Sequence, residues 1–292
     1  MPVIVVTSSN PGEGKTGVAA AIARHFAYQG TPVRLARVAS GEAASRETED
    51  AAHFSSLFFA PGSPTTALEP TAISDPGADQ VLVVEADAAA AAGIANARVV
   101  LVSRDAAPTS VPPGLEPLAI IVTDVDALRG ARIASEASPR VIELGEDRTL
   151  AGFSVSEAKA AINAETIVPG DDGDPTCDHL VVAPIASDAG QPYFRRFPSK
   201  AVVVRFDKTD MHLAAMQAAP ECLILTGGRM PSDYLFDAAS AKGIPVLLSR
   251  NDTENTVIAL EGLFDRTRFQ GERKLDRMAE LLAGTGLYEL LG

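Results

Sequence analysis

The run Asn10-Pro11-Gly12-Glu13-Gly14-Lys15-Thr16-Gly17 holds the residue types and spacing that cradle phosphate. In such a loop, backbone N–H groups and a helix N-terminus converge on one anion. A lysine at position 15 reaches the β- and γ-phosphates, and the Thr16 hydroxyl coordinates Mg²⁺. Ser9 departs from the usual GxxxxGK[ST] pattern, which begins with glycine at that place. Glu85 ends the apolar run Val81-Leu82-Val83-Val84, where a carboxylate faces the phosphates beside Lys15. A carboxylate there can hold Mg²⁺, directly or through water, and Lys15 and Glu85 are the candidate catalytic pair. Asp50, in Glu47-Thr48-Glu49-Asp50-Ala51-Ala52, is a candidate third metal ligand with Thr16 and Glu85. The plain alternatives are a ligand-free glycine turn, a solvated strand-end glutamate and an acidic helix start favoured by the helix dipole.

These side chains need a strand before the loop and a helix after it. Val3 to Thr7 is β-branched and apolar, and Val18 to Ala27 is alanine-rich and reads as a helix. Residues 32–38, 80–85, 98–102 and 118–122 read as further strands. Continuous apolar strands alternating with helices predict a doubly wound, mostly parallel α/β sheet with its ligand at the strands' carboxyl ends. Residues 60–77 carry several prolines and glycines and read as a loop at the site rim, and the alanine run 88–92 reads as a helix on a crowded sheet.

Composition excludes several classes. The chain has 292 residues, 46% of them hydrophobic and 22% charged, which is a globular balance with room for two domains. A net charge of −13 argues against nucleic acid. Cys177 and Cys222 are too few for a disulfide framework and suit a reducing cytoplasm. There is no secretory n-region and no apolar run of membrane-spanning length, so a cytoplasmic protein with no membrane partner is expected. His25, His53, His179 and His212 show no metal-ligand spacing. Tyr193-Phe194-Arg195-Arg196-Phe197 reads as a packing or dimer-contact segment.

Ser8 to Thr16 looks like the lengthened GxxxxxGKT loop of dethiobiotin synthetases. Val38-Ala39-Ser40-Gly41, Asp50 and Val83-Val84-Glu85 follow in that family's order, so the resemblance covers roughly residues 1–128. It implies Mg-ATP held by Lys15, Thr16, Asp50 and Glu85. The family's lysine-proline is Ala36-Arg37 here, so its substrate-activating lysine is missing or replaced by Arg37. Its glycine-rich turn is Ala86-Asp87-Ala88-Ala89, and its adenine-reading asparagine is replaced by Thr123-Asp124. Nucleotide binding survives these departures better than dethiobiotin synthesis does. Cobyrinic acid diamide synthases share the nucleotide-binding fold, but neither cysteine here sits in a glycine-flanked elbow.

Residues 129–149 are polar, contain Pro139 and Gly145, and read as a linker. From 150 to 292 a second, smaller α/β domain with a C-terminal helix is expected. Helices are read at 155–163, 209–216 and from the Asp252 region to Phe264; strands are read at 179–184, 201–206, 221–228 and 244–248. Asp207-Lys208, Thr226-Gly227-Gly228, Gly243-Ile244-Pro245-Val246-Leu247 and Asp252-Thr253 resemble the DRTGG domain over roughly residues 150–266. That module precedes the acyltransferase domain of long phosphotransacetylases, for which this chain, ending at Gly292, has no room.

Thr226-Gly227-Gly228 can offer backbone N–H groups to an anion, with Asp207, Lys208 and Asp252 holding polar groups of a second ligand. Alternatively the glycines make a tight turn and Asp252 caps a helix. The expectation is a Mg-ATP-binding regulatory or sensor protein whose DRTGG domain senses a ligand or dimerises. The resemblances imply a homodimer and an acyltransferase or other metabolic enzyme as partner. The rival is an ATP-dependent ligase or carboxylate-activating enzyme, with Arg37 orienting an acidic substrate; a scaffold with a vestigial loop is a third reading.

Overall fold

The computed structural model describes residues 3–40, 44–77, 79–171, 173–183 and 190–292. Gly41 and Pro184, part of the expected segments 38–41 and 179–184, lie outside the described residues. The chain divides into two compact units, Met1–Asp147 with Lys274–Gly292, and Arg148–Arg273.

The first unit is built on seven strands: β1 (Val3–Ser8), β2 (Val33–Arg37), β3 (Val81–Glu85), β4 (Arg98–Arg104), β5 (Pro117–Val125), β6 (Ala131–Ser135) and β7 (Arg140–Gly145). Their order is β2-β3-β1-β4-β5-β7-β6, parallel except for β6, which runs antiparallel to β7. The central strands are apolar throughout because both faces are covered. Val3 and Val5 share one core cluster with Ala36, Leu82, Val84 and Ala91, while the intervening Ile4 and Val6 are equally buried. Helix α1 (Lys15–Tyr28) packs against β1, β2 and β3. Its alanines let it approach closely: residues Val18 to Ala23 are fully buried.

Helix α2 (Ala44–Ser56) carries Glu47 and Asp50. Helix α3 (Ala88–Ala92) is the expected alanine helix, started by Asp87, whose side chain accepts from the Ala90 N–H at 2.7 Å. Asp87 therefore serves as an N-cap, the role in which short acidic side chains satisfy free helix N–H groups.

Two expectations about boundaries are corrected. Residues 129–149 are not a linker, since β6 and β7 lie within them and extend the first sheet. Their polar sequence reflects an edge position: Arg132, Ile133 and Ala134 are exposed, and only Ile142, Leu144 and Gly145 of β7 are buried. The C-terminal helices also belong to the first unit rather than to residues 150–292. Within that unit the Arg277 guanidinium of the C-terminal segment donates to Asp147 at 2.7 Å, and His25 stacks on Tyr288 with ring centroids 3.7 Å apart.

The second unit contains α4 (Arg148–Ala151), β8 (Phe153–Ser154), α5 (Val155–Ala161), β9 (Glu165–Val168), β10 (Thr176–Cys177), β11 (His179–Val182) and α6 (Gly190–Phe194). It continues with β12 (Lys200–Arg205), α7 (Thr209–Gln217), β13 (Cys222–Thr226), α8 (Asp233–Ser240), β14 (Val246–Leu248) and α9 (Thr253–Glu261). The sheet order is β11-β12-β13-β14-β9, parallel but for β9, and β8 pairs with β10 apart from it.

Strand alternation sorts the core cleanly. Val202, Val204, Leu223 and Leu225 face Met211, Ala215, Leu235 and Ala239, whereas Ala201, Val203, Cys222 and Ile224 face Val155, Ala158 and Leu260. Helices thus cover both faces, which is why these strands are continuously apolar. The chain begins α10 (Glu272–Ala283) at the end of this unit and closes with α11 (Leu287–Leu291). The observed class is the one expected: a large, mostly parallel α/β sheet and a smaller α/β region. Among the described residues no helix is long and apolar enough to cross a membrane.

Candidate functional site

Sheet register assembles the first site. Pairing sets Glu85 beside Val6 on one side and beside Arg37 on the other, so the carboxyl ends of β1, β2 and β3 deliver Ser8, Arg37 and Glu85 to one edge. The chain leaves β1 through a turn in which Ser8 Oγ donates to the Asn10 carbonyl at 2.6 Å. The Asn10 N–H and side-chain amide both donate to the Glu13 carboxylate, at 3.2 and 3.0 Å. Gly12 and Gly14 have φ of +83° and +96°, a region in which a Cβ is strained. A Cβ on Gly14 would also stand 3.3 Å from Thr123 Cγ2. Thr123, at the end of β5, donates to the Glu13 carbonyl at 3.1 Å and so fixes the loop's far side.

Gly14 ends this turn and α1 starts at Lys15, with its first hydrogen bond from the Val18 N–H to the Gly14 carbonyl at 3.3 Å. Residues Ser9 to Gly12 and Gly14 are exposed, while Lys15 is only 8% exposed. The Lys15 ammonium donates to Ser8 Oγ at 2.7 Å. Burial lowers its pKa from the usual lysine value, and the nearby Glu85 carboxylate opposes that shift. A desolvated cation behind an open loop of backbone N–H groups fits a phosphate chain.

Glu85 is buried, and one of its oxygens, Oε2, has no hydrogen-bond partner. Burial raises its pKa to about 7, against the pull of Arg37, Lys15 and a hydrogen bond with the Thr16 side chain. Thr16 and Glu85 are therefore brought together, and the unpartnered carboxylate oxygen fits a cation arriving with phosphate. Asp50 is not brought into that pair as an open ligand. Its Oδ2 faces Arg37 Nε at 3.9 Å, while Arg37 Nη1 and Nη2 lie 4.0 Å from Glu85 Oε1 and Glu47 Oε1. The guanidinium thus fills the middle of three carboxylates. Among the described residues no group of three His, Cys, Asp or Glu is placed to hold a metal ion. Of the three residues expected to hold metal, Thr16 and Glu85 lie together, while Asp50 faces the arginine that ends β2.

In the second unit the turn after β13 is spent internally. The Gly227 N–H donates to the Asn251 carbonyl at 2.8 Å, and the Gly228 N–H donates to the Ser249 carbonyl at 3.0 Å. Neither N–H is left for an anion, so the expected backbone anion site at Thr226-Gly227-Gly228 does not form. The Thr226 hydroxyl is buried against that of Thr253 at 2.8 Å. Asp252 accepts from the Asn255 N–H at 2.8 Å and caps α9. Asp207 pairs with Arg205 at 3.0 Å, and Lys208 is an exposed residue at the start of α7.

The glycines are required by packing. Gly227 has φ +94°, and a Cβ there would lie 2.8 Å from the Phe206 ring. Arg205 and Arg229 place their guanidinium carbons 5.8 and 5.5 Å from that ring's centroid. Phe206 and Arg229 escaped the sequence reading, since a single aromatic at a strand end carries no pattern of its own.

Residues 157–263 match the family model of the DRTGG domain. The second unit of this chain therefore carries a DRTGG domain on the α/β fold just described. A further similarity is to the crystal structure of the CBS and DRTGG domains of the regulatory region of Clostridium perfringens pyrophosphatase, complexed with its activator diadenosine tetraphosphate. Identity is 18%, the TM-score is 0.33, and the match covers 39% of this chain and 47% of that one, so this chain spans about half of its length.

Proposed function

We propose that this protein is a nucleotide-binding regulatory or sensor protein. A phosphate-binding loop takes ATP, and the DRTGG domain reports nucleotide occupancy or a second ligand and joins two copies into a homodimer. The observation that carries the reading is the buried Lys15 ammonium, set at the end of β1 behind the open Ser9–Gly14 loop. On ATP binding Lys15 exchanges Ser8 Oγ for phosphate oxygens, and the loop's N–H groups hold the rest of the phosphate chain. Were Mg²⁺ to accompany the nucleotide, Thr16 Oγ1 and Glu85 would hold it, and it would supply neutralisation of the phosphate charge. Among the described residues, the Arg37 guanidinium faces three carboxylates, Glu47, Asp50 and Glu85, and not an open space for an acidic second substrate. That favours a sensor over a ligase.

Calorimetric titration with ATP and Mg²⁺ tests the proposal beside a Lys15→Ala variant. Binding in the micromolar range, about −8 kcal/mol, that is lost in the variant supports it. Absence of binding in the wild-type protein refutes it.

A further inference from the structure

Arg37 is a buried cation of the first unit with an unpartnered donor. It is 8% exposed; its Nη1 donates to the Glu85 carbonyl at 3.2 Å, and its Nε has no hydrogen-bond partner among the described residues. Its three carboxylate neighbours stand off at 3.9 to 4.0 Å, further than hydrogen-bonding distance. Glu85 Oε2 is likewise buried without a partner. Two independent groups, one donor and one acceptor, are thus left open at the same strand edge as Lys15.

The charges around this edge decide what fits. Glu47, Asp50 and Glu85 bring three carboxylates, and Lys15 and Arg37 bring two cations. A divalent ion gripped by both Asp50 and Glu85 would need their oxygens within about 2.0–2.6 Å of it. The guanidinium stands between those two side chains. Its free Nε–H suits a phosphate oxygen, which forms a short, charge-assisted bond with a guanidinium.

We propose that Arg37 is the resident cation of the phosphate site: set between Asp50 and Glu85, it supplies the positive charge that a divalent ion would bring, so that the nucleotide binds with little dependence on Mg²⁺. The inference rests on the nucleotide-binding reading above and adds the identity of the species bound, a nucleoside triphosphate with or without its metal. Arg37 then acts in binding, by neutralising the carboxylates and meeting the terminal phosphate, and Asp50 serves to position it.

The test is calorimetric titration of ATP into the full chain, once with excess Mg²⁺ and once with EDTA, for the wild-type protein, Arg37→Gln and Asp50→Asn. The wild-type protein is expected to lose less than about tenfold in affinity when Mg²⁺ is removed. Arg37→Gln is expected to widen that loss by about tenfold or more, because the exposed carboxylates then repel metal-free ATP. Asp50→Asn is expected to leave the wild-type ratio in place. This third variant decides the matter if Arg37→Gln fails to fold, since a selective loss of affinity in Mg²⁺ would make Asp50 a metal ligand and overturn the inference. A wild-type protein that needs Mg²⁺ by about a hundredfold overturns it while sparing the nucleotide reading. No binding in either buffer overturns the nucleotide reading and this inference with it.

Discussion

The Lys15 ammonium donates to Ser8 Oγ at 2.7 Å, joining the first residue of α1 to the last residue of β1. The hydroxyl in turn donates to the Asn10 carbonyl, so one short chain of hydrogen bonds ties strand, loop and helix together. Ser8→Ala removes the acceptor and leaves a buried ammonium with one partner fewer. A loss of about 1–3 kcal/mol in stability is expected, measured by urea unfolding. ATP should restore more stability to this variant than to the wild-type protein, because phosphate oxygens replace the lost acceptor.

Gly14→Ala tests the loop's backbone. A Cβ at φ +96° costs about 1–2 kcal/mol, and the 3.3 Å approach to Thr123 Cγ2 adds to it. The shift of the turn should also weaken ATP binding, so calorimetry and thermal melting should move together. A variant that melts like the wild-type protein would show that the loop relaxes freely.

Glu85 sets a pH dependence whose sign follows from its burial. Its pKa rises from 4.5 to about 7 on folding, with burial as the chief cause and Asp50 adding to it, while Arg37, Lys15 and Thr16 oppose. The folded state thus holds the proton more tightly than the unfolded chain. This contribution to stability is complete below about pH 4.5 and is lost as pH rises to about 7. Glu85→Gln cannot titrate, so the melting temperature of the wild-type protein should fall relative to the variant across that window. A constant difference between the two would refute the shift.

In the second unit, Gly227→Ala should cost about 2 kcal/mol or more, because a Cβ 2.8 Å from Phe206 forces the ring to move as well as straining the backbone. Hydrogen exchange should show the loss in β12 and β13 while β1 to β5 stay protected.

Asp252→Ala separates a cap from a ligand-binding residue. Loss of the N-cap of α9 should cost about 1 kcal/mol and fray the helix's first turn. An unchanged melting temperature would argue against the capping role.

The local features of this protein were legible in its sequence because they rest on neighbouring residues. Val3 to Thr16 declares strand, loop and helix through β-branching, glycines and an alanine-rich run, and the strands at 80–85 and 201–206 show themselves through continuous apolar stretches. The same logic fails at an edge. Residues 129–149 look like a linker because β6 is exposed and its partner β7 only partly buried, so no period of buried residues marks them.

Pairing at a distance decided the rest. Only the register of β2 against β3 reveals that Arg37 meets Glu85, and only the placement of α2 reveals that Asp50 and Glu47 face the same guanidinium instead of an open metal site. The Gly227-Gly228 turn shows the same division. Its glycines were plain to read, but their N–H groups bond to the Asn251 and Ser249 carbonyls of a later loop. Composition fixes what a segment can form, whereas the partners of a charge or an amide are set by whichever distant segment the fold brings within hydrogen-bonding reach.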